Sequence, residues 1–190
     1  MQVRHHATIY QQGDAACGAF CVLDGHVKLT RLRRDGSAAM VALLKVGDWF
    51  GALDGDPQAC AETAVAKGSV RLRRLPPDAT RSLADADLII ESLARRQRFL
   101  ELQIEALTRL DVQARLAAML LHLAHFCGQN CRHGHEIDMR LTHEELAELS
   151  GISRQVTTTA LNQWRRNGLL HYTRAYICID DRARLAALLG

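Results

Sequence analysis

The hydrophobic and polar positions of the chain change their period along its length, and the first pattern predicts short strands. Up to about residue 75, apolar runs of partly alternating character are separated by glycine–aspartate pairs. The pairs are Gly13-Asp14, Asp24-Gly25, Asp35-Gly36 and Gly47-Asp48. Because Asp-Gly between apolar runs favours a tight hairpin, and evenly spaced short strands are typical of a small roll or barrel, we predict an antiparallel, jelly-roll-like β-roll. Pro76-Pro77 closes it, since neither proline continues a strand.

After the prolines the period lengthens to that of a helix. Apolar residues, with one polar member, recur every three or four positions, and charged residues flank them. This seam consists of Ala86, Ile90, Leu93, Gln97, Leu100, Ile104 and Leu107. A helix of about 25 residues, roughly 37 Å long, is predicted. So narrow a seam must be covered, and we favour a second copy of the same helix in a two-fold dimer. A helix lying on its own β-roll is the alternative.

A third pattern, LTHEELAELSGISRQVTTTALNQWRRNGLL, predicts two short helices separated by a sharp turn. Thr142 and Glu145 have the spacing of a capping box, which begins the first helix. Gly151 permits the turn, and Ser153 caps a second helix that ends at Asn167-Gly168. Two helices joined in this way form a helix-turn-helix.

Strands are predicted on both sides of the two helices. Residues 136–141 alternate as a short strand does, and residues 171–179 are predicted to fold back as a hairpin, or wing. The tip of this wing is expected at Tyr172, Thr173 and Arg174.

The second helix has the chemistry expected of an element that contacts DNA. Thr157, Leu161 and Trp164 are predicted to pack inward, and no acidic residue occurs between Leu149 and Ile179. A major groove admits such a helix, where Arg and Gln bond guanine and adenine edges bidentately, while capped helix starts suit phosphate oxygens. The residues predicted from this pattern to contact DNA are Thr142, Ser153, Arg154, Gln155, Thr158, Asn162, Arg165 and Arg174, with Arg166 adding charge.

Composition narrows the classes of function. The chain has a net charge of +3, no apolar run approaching the roughly 20 residues of a membrane span, and no apolar secretory signal, so we expect a cytosolic protein without a membrane partner. Its six cysteines are then expected to be reduced. Phosphate-binding glycine loops, G-x-S-x-G elbows and H-E-x-x-H motifs are absent, so no enzyme is predicted. The alternative to DNA binding is a ligand-binding β-roll whose helix-turn-helix contacts only proteins.

Over nearly its whole length the chain resembles the Crp–Fnr family of bacterial transcription regulators. The roll carries IYQQGD (9–14), DGHVKL (24–29) and GDWFGAL (47–53), and LTHEELAELSGISRQ (141–155) follows in family order. The resemblance implies an α+β fold and a homodimer on a near-palindromic operator in double-stranded DNA, with RNA polymerase as a further partner. It also implies base contacts by Arg154, Gln155 and Thr159. The last is commonly Arg in the family, so the usual consensus operator is not expected.

The resemblance divides the chain into three parts. These are an effector-sensing β-roll over 1–77, a dimerisation helix over 78–110, and a winged helix-turn-helix domain over 111–190.

The same resemblance places an effector pocket in the roll, at Phe50, Gly51, Ala52, Leu53, Cys60 and Ala61. Members that bind cyclic nucleotides have FGEL, whose Glu holds the ribose, and an Arg-Ser pair that holds the phosphate. Here Ala52 replaces the Glu, and Cys60-Ala61, followed by Glu62, replaces the Arg-Ser. A buried phosphate without a cation is strongly disfavoured, so cyclic AMP is not expected to bind. Only eight residues precede Ile9, where iron–sulfur members keep their cysteine cluster, so such a cluster is not expected either.

The effector is otherwise left open between redox, metal, haem and none. The densest collection of soft ligands is His122, His125, Cys127, Cys131, His133 and His135. Its alternative interpretation is a set of helix-end and loop residues without a ligand. Cys17 and Cys21, with Cys60, form a weaker redox or haem candidate, whose alternative is a role as small core hydrophobes.

Overall fold

The chain forms two compact units, 1–98 and 99–190, which divide inside one long helix. The computed structural model describes residues 1–15, 18–34, 36, 38–53, 59–76, 85–109, 111–132, 134–137, 139–173 and 176–190. The first unit is built on an antiparallel sheet, and the second combines helices with a smaller sheet. The predicted α+β fold is confirmed, whereas the three-part division by residue range stays a prediction. None of the described helices is long and apolar enough to cross a membrane.

The first unit is organised around two long paired strands. Its described strands are β1 (Gln2–Val3), β2 (Thr8–Tyr10), β3 (Ala19–Leu32), β4 (Ala38–Leu44), β5 (Trp49–Gly51) and β6 (Thr63–Leu75). Strand β6 pairs with β1, β2 and β3, and β3 also pairs with β4 and β5, always antiparallel. The alternation predicted from the sequence places Phe20, Val22, Val27 and Leu29 in the buried core. As predicted, β6 ends directly before Pro76.

One of the four predicted turns is a β-bulge. Asp24 and Gly25 lie within β3, where the pairing with β6 shifts register on both sides of Asp24. Gly25 has a φ of +77°, and a Cβ there would lie 2.4 Å from the Ser69 carbonyl oxygen. Glycine is therefore required for the close approach of the two strands and not for a change of chain direction. By contrast, Gly36 and Gly47 have positive φ values in the connections that follow β3 and β4.

The long helix α1 (Ala86–Arg109) confirms the predicted helix and its length, and its first half packs on the first unit. The Ser92 hydroxyl accepts a hydrogen bond of 2.8 Å from the Trp49 amide. The Arg95 guanidinium lies 2.9 Å from a carboxylate oxygen of Asp48, a side chain that is nearly buried. A buried carboxylate needs such a partner, since losing it leaves an uncompensated charge.

The predicted seam lies on a different, exposed side of α1. Ile90 and Ile104 are each 63% exposed, and Leu93, Leu100 and Leu107 are exposed as well. The first half of α1 does pack on its own β-roll, which was the alternative to a dimer. It does so through Ser92 and Arg95 and not through the seam. The described residues of the same chain therefore leave the seam accessible.

The second unit places two short helices beside a small sheet. Its described elements after α1 are α2 (Val112–Cys127), β7 (Gly128–Cys131), β8 (Gly134–Ile137), α3 (His143–Ser150), α4 (Arg154–Arg166), β9 (Leu170–Tyr172), β10 (Ile177–Ile179), α5 (Arg182–Ala186) and a short 3-10 helix (Ala187–Leu189). The strand order is β7-β8-β10-β9. Leu116, Leu120 and Leu123 of α2 form a buried core with residues of α3 and α4.

Two predictions for this sheet need correction. The strand predicted over 136–141 is β8 and ends at Ile137, where its pairing with Ile177 ends. Tyr172 lies in β9, paired with Ile177, and not at the tip of the wing. Arg174, also predicted at the tip, lies outside the described residues.

Candidate nucleic-acid interface

Local hydrogen bonds fix the start and the end of α3. The Thr142 hydroxyl accepts from the Glu145 amide at 3.1 Å, and the Glu145 carboxylate accepts from the Thr142 amide at 2.9 Å. This is the predicted capping box. Gly151 ends the helix in the left-handed conformation, with φ of +63°. A Cβ at this glycine would lie 2.6 Å from a methyl carbon of Leu107, so both backbone and packing favour glycine in the turn.

The N-terminal end of helix α4, called its leading end below, is exposed to solvent. The Ser153 hydroxyl accepts from the Val156 amide at 3.2 Å, as an N-cap does. Thr157, Leu161 and Trp164 are buried, which confirms the inward face predicted from the sequence. The residues of α4 that are exposed on its other side include Arg154, Gln155, Thr159 and Arg165. The first turn of the helix contains no acidic residue.

Two residues predicted to face the open side are instead held by neighbours. The Thr158 hydroxyl donates to the Arg154 carbonyl oxygen and lies 2.9 Å from Nδ1 of His143. The Asn162 side-chain oxygen accepts from the Tyr172 hydroxyl at 3.0 Å and from Arg165 at 3.3 Å. Both side chains are half-buried. Thr158 therefore joins α4 to the start of α3, and Asn162 joins α4 to β9.

His143 and Tyr172 complete this surface and were not among the predicted site residues. Their rings meet edge to face at 5.4 Å, and the Arg165 guanidinium lies 5.2 Å from the centre of the Tyr172 ring. Burial, and then the charge of Arg154, lowers the pKa of His143 below its usual value. His143 is therefore neutral at pH 7. A histidine directly after a capping threonine gave no sequence signal of these contacts, because they depend on where β9 lies.

The fold brings one acidic residue to the leading end of α4. A carboxylate oxygen of Glu144, in α3, lies 4.0 Å from Nε of Arg154, and both side chains are mostly exposed. The sequence interval between Leu149 and Ile179 is free of acids, but the surface around α4 is not. Exposed pairs of this kind contribute little and are screened by salt, so Arg154 remains available to a stronger anion.

Comparison with known proteins assigns the chain to a family. Residues 1–87 match the cyclic nucleotide-binding domain, and residues 114–188 match the Crp-like helix-turn-helix domain. A global nitrogen regulator of Synechocystis is 30% identical over 187 residues, covering 94% of this chain and 83% of that protein. A CRP-like cAMP-activated global transcriptional regulator of Mycobacterium tuberculosis is 29% identical, with the same coverage.

The structural comparison agrees. A CRP-family transcriptional regulator from Thermus thermophilus superposes with a TM-score of 0.86 at 26% identity, over 100% of this chain and 96% of that one. The chain belongs to the Crp–Fnr family of transcription regulators. This Crp–Fnr protein is thus a transcriptional regulator with a helix-turn-helix DNA-binding domain, and not an enzyme.

The predicted effector pocket of this Crp–Fnr regulator divides between core and surface. Phe50 and Cys60 belong to the buried core, and the Phe50 ring stacks on Phe20 with 5.3 Å between centres. Ala61 is exposed, and Gly51 and Ala52 are half-buried. Leu53 is also half-buried, against the cluster around Trp49. Phe50 and Cys60 therefore stabilise the roll, whatever else this region does.

Glu62 brings a carboxylate to the region where the family's phosphate-binding pair would stand. It is only 8% exposed and accepts a hydrogen bond of 3.3 Å from the Tyr10 hydroxyl. Nη2 of Arg31 lies 3.9 Å from a Glu62 oxygen. Sequence reasoning missed Arg31, because it comes from β3, a distant strand. The Arg31 guanidinium is thus paired with the Glu62 carboxylate of the protein itself.

Among the residues that the structure describes, no three of the metal-ligand candidates predicted from the sequence lie within 4.8 Å of one another. The His122 ring stacks between Phe99 and Phe126, at 4.6 and 6.1 Å. The Cys127 thiol donates to the Leu123 carbonyl oxygen. The remaining candidates lie in different surroundings. His125 is exposed, and His135 is half-buried in β8. Cys131 instead contacts Cys178, with 2.8 Å between the two sulfurs, and His133 lies outside the described residues.

The second cysteine candidate is divided in the same way. Cys21 and Cys60 lie in two separate core clusters of the first unit, and Cys17 lies outside the described residues. Burial raises the pKa of the Cys21 thiol, so it remains protonated and weakly reactive. These contacts favour the interpretation of both described cysteines as small core hydrophobes.

Proposed function

We propose that this regulator acts as a homodimer that binds a near-palindromic operator, with the leading end of each α4 in a major groove. The observation that carries the proposal is the exposed start of α4, capped by Ser153 and bearing Arg154 and Gln155 as its first two residues. Both side chains suit bidentate bonds to base edges. Thr159, one turn further along the exposed side, supplies a hydroxyl and a methyl group where the family commonly has Arg.

Phosphate contacts are proposed for the two helix starts. The Thr142 and Ser153 hydroxyls act as acceptors in their caps, which leaves each hydroxyl proton to donate to a phosphate oxygen. Helix N-termini attract phosphate through their amides and the helix dipole. Arg165, Arg166 and Arg174 are proposed to add charge along the flanks of the groove.

The dimer is proposed to form along the exposed seam of α1. Each Leu or Ile side chain that a second copy buries contributes about 1.5–3 kcal/mol, and the two-fold symmetry uses every seam residue twice. Gln97 stands in the middle of the seam, where a polar residue specifies register at some cost in stability. A regulator that binds chromosomal DNA acts in the bacterial cytoplasm, so the proposal places the protein there. A contact with RNA polymerase is also proposed, and only the resemblance to the family supports it.

The proposed binding to DNA predicts a steep dependence on salt. If four arginines per protomer each neutralise one phosphate, log K should fall against log [NaCl] with a slope of roughly −7 for the dimer. Fluorescence anisotropy of a labelled duplex, titrated with the protein at several NaCl concentrations, measures this slope. A helix-turn-helix that contacts only proteins would give weak binding with a slope near zero, and that result would refute the proposal.

Two matched double variants test whether the salt dependence of DNA binding comes from arginines of α4. Arg165→Ala with Arg166→Ala removes two of the four charges and should reduce the slope by about half. Arg33→Ala with Arg34→Ala removes the same charge from an exposed part of the first unit and should leave it unchanged.

Cyclic AMP is predicted not to bind. Ala52 offers no ribose ligand, and the buried Glu62 carboxylate would repel a cyclic phosphate placed beside it. Calorimetric titration of the protein with cyclic AMP should therefore show no saturable heat at micromolar concentrations. Micromolar binding would contradict the prediction and would point to Arg31, released from Glu62, as the phosphate ligand.

A further inference from the structure

Four side chains with metal-binding atoms share one face of the sheet in the second unit. Cys131 of β7 pairs with Gly134 of β8, and Cys178 of β10 pairs with His171 of β9. Paired residues lie on the same face of a sheet, and so do residues two apart along a strand. Gly134 and Glu136 are two residues apart in β8, and Glu136 pairs with Cys178. Cys131, Cys178 and His171 therefore lie on the same face of the sheet. Asp180, two residues after Cys178, joins them.

The distances place three of these side chains in one group and the fourth, Cys131, beside Cys178 of that group. The sulfurs of Cys131 and Cys178 are 2.8 Å apart, although β7 and β10 are separated by β8. Nδ1 of His171 lies 2.8 Å from a carboxylate oxygen of Asp180. The ligand atoms of His171, Cys178 and Asp180 all lie within 4.8 Å of one another, and no other group of three such residues meets this criterion among the residues that the structure describes.

A glycine makes the contact between the cysteines possible. Gly134 lies on β8 between the strands of Cys131 and Cys178, and it carries no side chain to separate them. Its φ is +149°, and a Cβ there would lie 2.1 Å from the Ile179 carbonyl oxygen. Any other residue at this position would therefore displace β10 from β8.

Each residue type in the donor set is a known zinc ligand. Two thiolates, an imidazole and a carboxylate provide four ligands for a tetrahedral ion. Cys178 is buried, and Cys131, His171 and Asp180 are half-buried, so the site is sheltered from water on several sides. Thiolates that share one zinc ion lie roughly 3.8 Å apart. Binding of one ion would therefore require the two sulfurs to separate by about 1 Å.

We propose that Cys131, His171, Cys178 and Asp180 bind one Zn²⁺ ion per chain. The ligands come from β7, β9 and the end of β10, so the ion would join the strands of the wing to the opposite edge of the sheet. A disulfide between the two cysteines is the competing outcome.

The test uses the full chain purified without a polyhistidine tag, reduced and stripped with a chelator. Titration with Zn²⁺ against a chromophoric chelator should give one ion per chain, and Co²⁺ should give the intense near-ultraviolet band of thiolate coordination. Cys131→Ser and Cys178→Ser should each abolish that band. Asp180→Asn should weaken zinc binding at least tenfold. The matched control is Cys127→Ser, because Cys127 is half-buried outside the group and bonds to its own helix.

Several results would overturn the site. These are failure of the reduced wild-type chain to bind zinc, full binding by Cys131→Ser with a wild-type circular dichroism spectrum, and loss of both thiols as a disulfide when the protein is purified with zinc present. The cobalt spectrum of the wild-type chain needs no variant, so a variant that fails to fold does not affect it. DNA binding enters none of these measurements, so the metal site and the proposed operator binding can fail separately.

Discussion

Replacing Leu100 and Ile104 together by glutamate should convert the protein from a dimer to a monomer with weak affinity for its operator. Each change removes an apolar contact worth about 1.5–3 kcal/mol on burial and would place a carboxylate against its own two-fold copy. A dimer engages two half-sites about 34 Å apart with one binding event, so losing it should reduce operator affinity by roughly 100- to 10,000-fold. Sedimentation and fluorescence anisotropy measure the two effects.

A matched substitution separates the seam from the rest of α1. Leu88 is 52% exposed on the same helix but lies two residues before Ile90, outside the seam. Leu88→Glu should therefore remain dimeric and bind the operator normally. Because Leu100 and Ile104 are exposed in the chain itself, the double variant should keep its helical circular dichroism. A double variant that stays dimeric would refute the seam, and a monomer with full operator affinity would refute the paired half-sites.

The substitution Arg154→Ala should reduce both the affinity for the operator and the preference for one base pair, by about 1–3 kcal/mol. Arg154 is the first residue of α4, its side chain is 72% exposed, and its contact with Glu144 is only an exposed pair at 4.0 Å. Little folding free energy therefore depends on it, and the loss should appear in recognition. Selection of bound sequences from a random pool, followed by competition binding, measures the preference.

Two further variants distinguish base recognition from charge. Arg154→Lys keeps the charge but lacks the planar fork that bonds a guanine at two points, so it should retain the salt dependence and lose the preference. Arg166→Ala, in the last turn of the same helix, should weaken all sequences alike. Unchanged base preference in Arg154→Ala would show that α4 is not the recognition helix or lies differently in the groove.

The features of this protein that could be predicted from the sequence are those set by neighbouring residues. The capping box of Thr142 and Glu145, the cap at Ser153 and the left-handed Gly151 each involve bonds within a few positions, and the structure has all three. The inward face of α4 and the exposed seam of α1 follow from helical period alone. Family resemblance added the order of the parts and the identity of the family.

The sequence was a poor guide where the type of a residue does not determine which distant group it contacts. Asp24-Gly25 has the composition of a hairpin turn, but the approach of β6 made it a bulge, since positive φ serves either purpose. The contacts of Thr158 with His143 and of Asn162 with Tyr172 were not predicted either, whereas the contacts of Thr158 and Asn162 with DNA stay predictions. Polarity reports that a side chain needs a hydrogen-bonding partner and not which partner it has.

By itself, therefore, the sequence determined that this chain has a strand-rich first part, a long helix with an apolar seam, and a capped helix pair whose second helix begins with Arg and Gln. Only the tertiary structure decided which distant groups meet. Asp48 meets Arg95 and Cys131 meets Cys178, each pair 47 positions apart. The reason is physical: caps and periods depend on backbone geometry over one or two turns, whereas such meetings depend on strand order and register, which every strand of the sheet sets together.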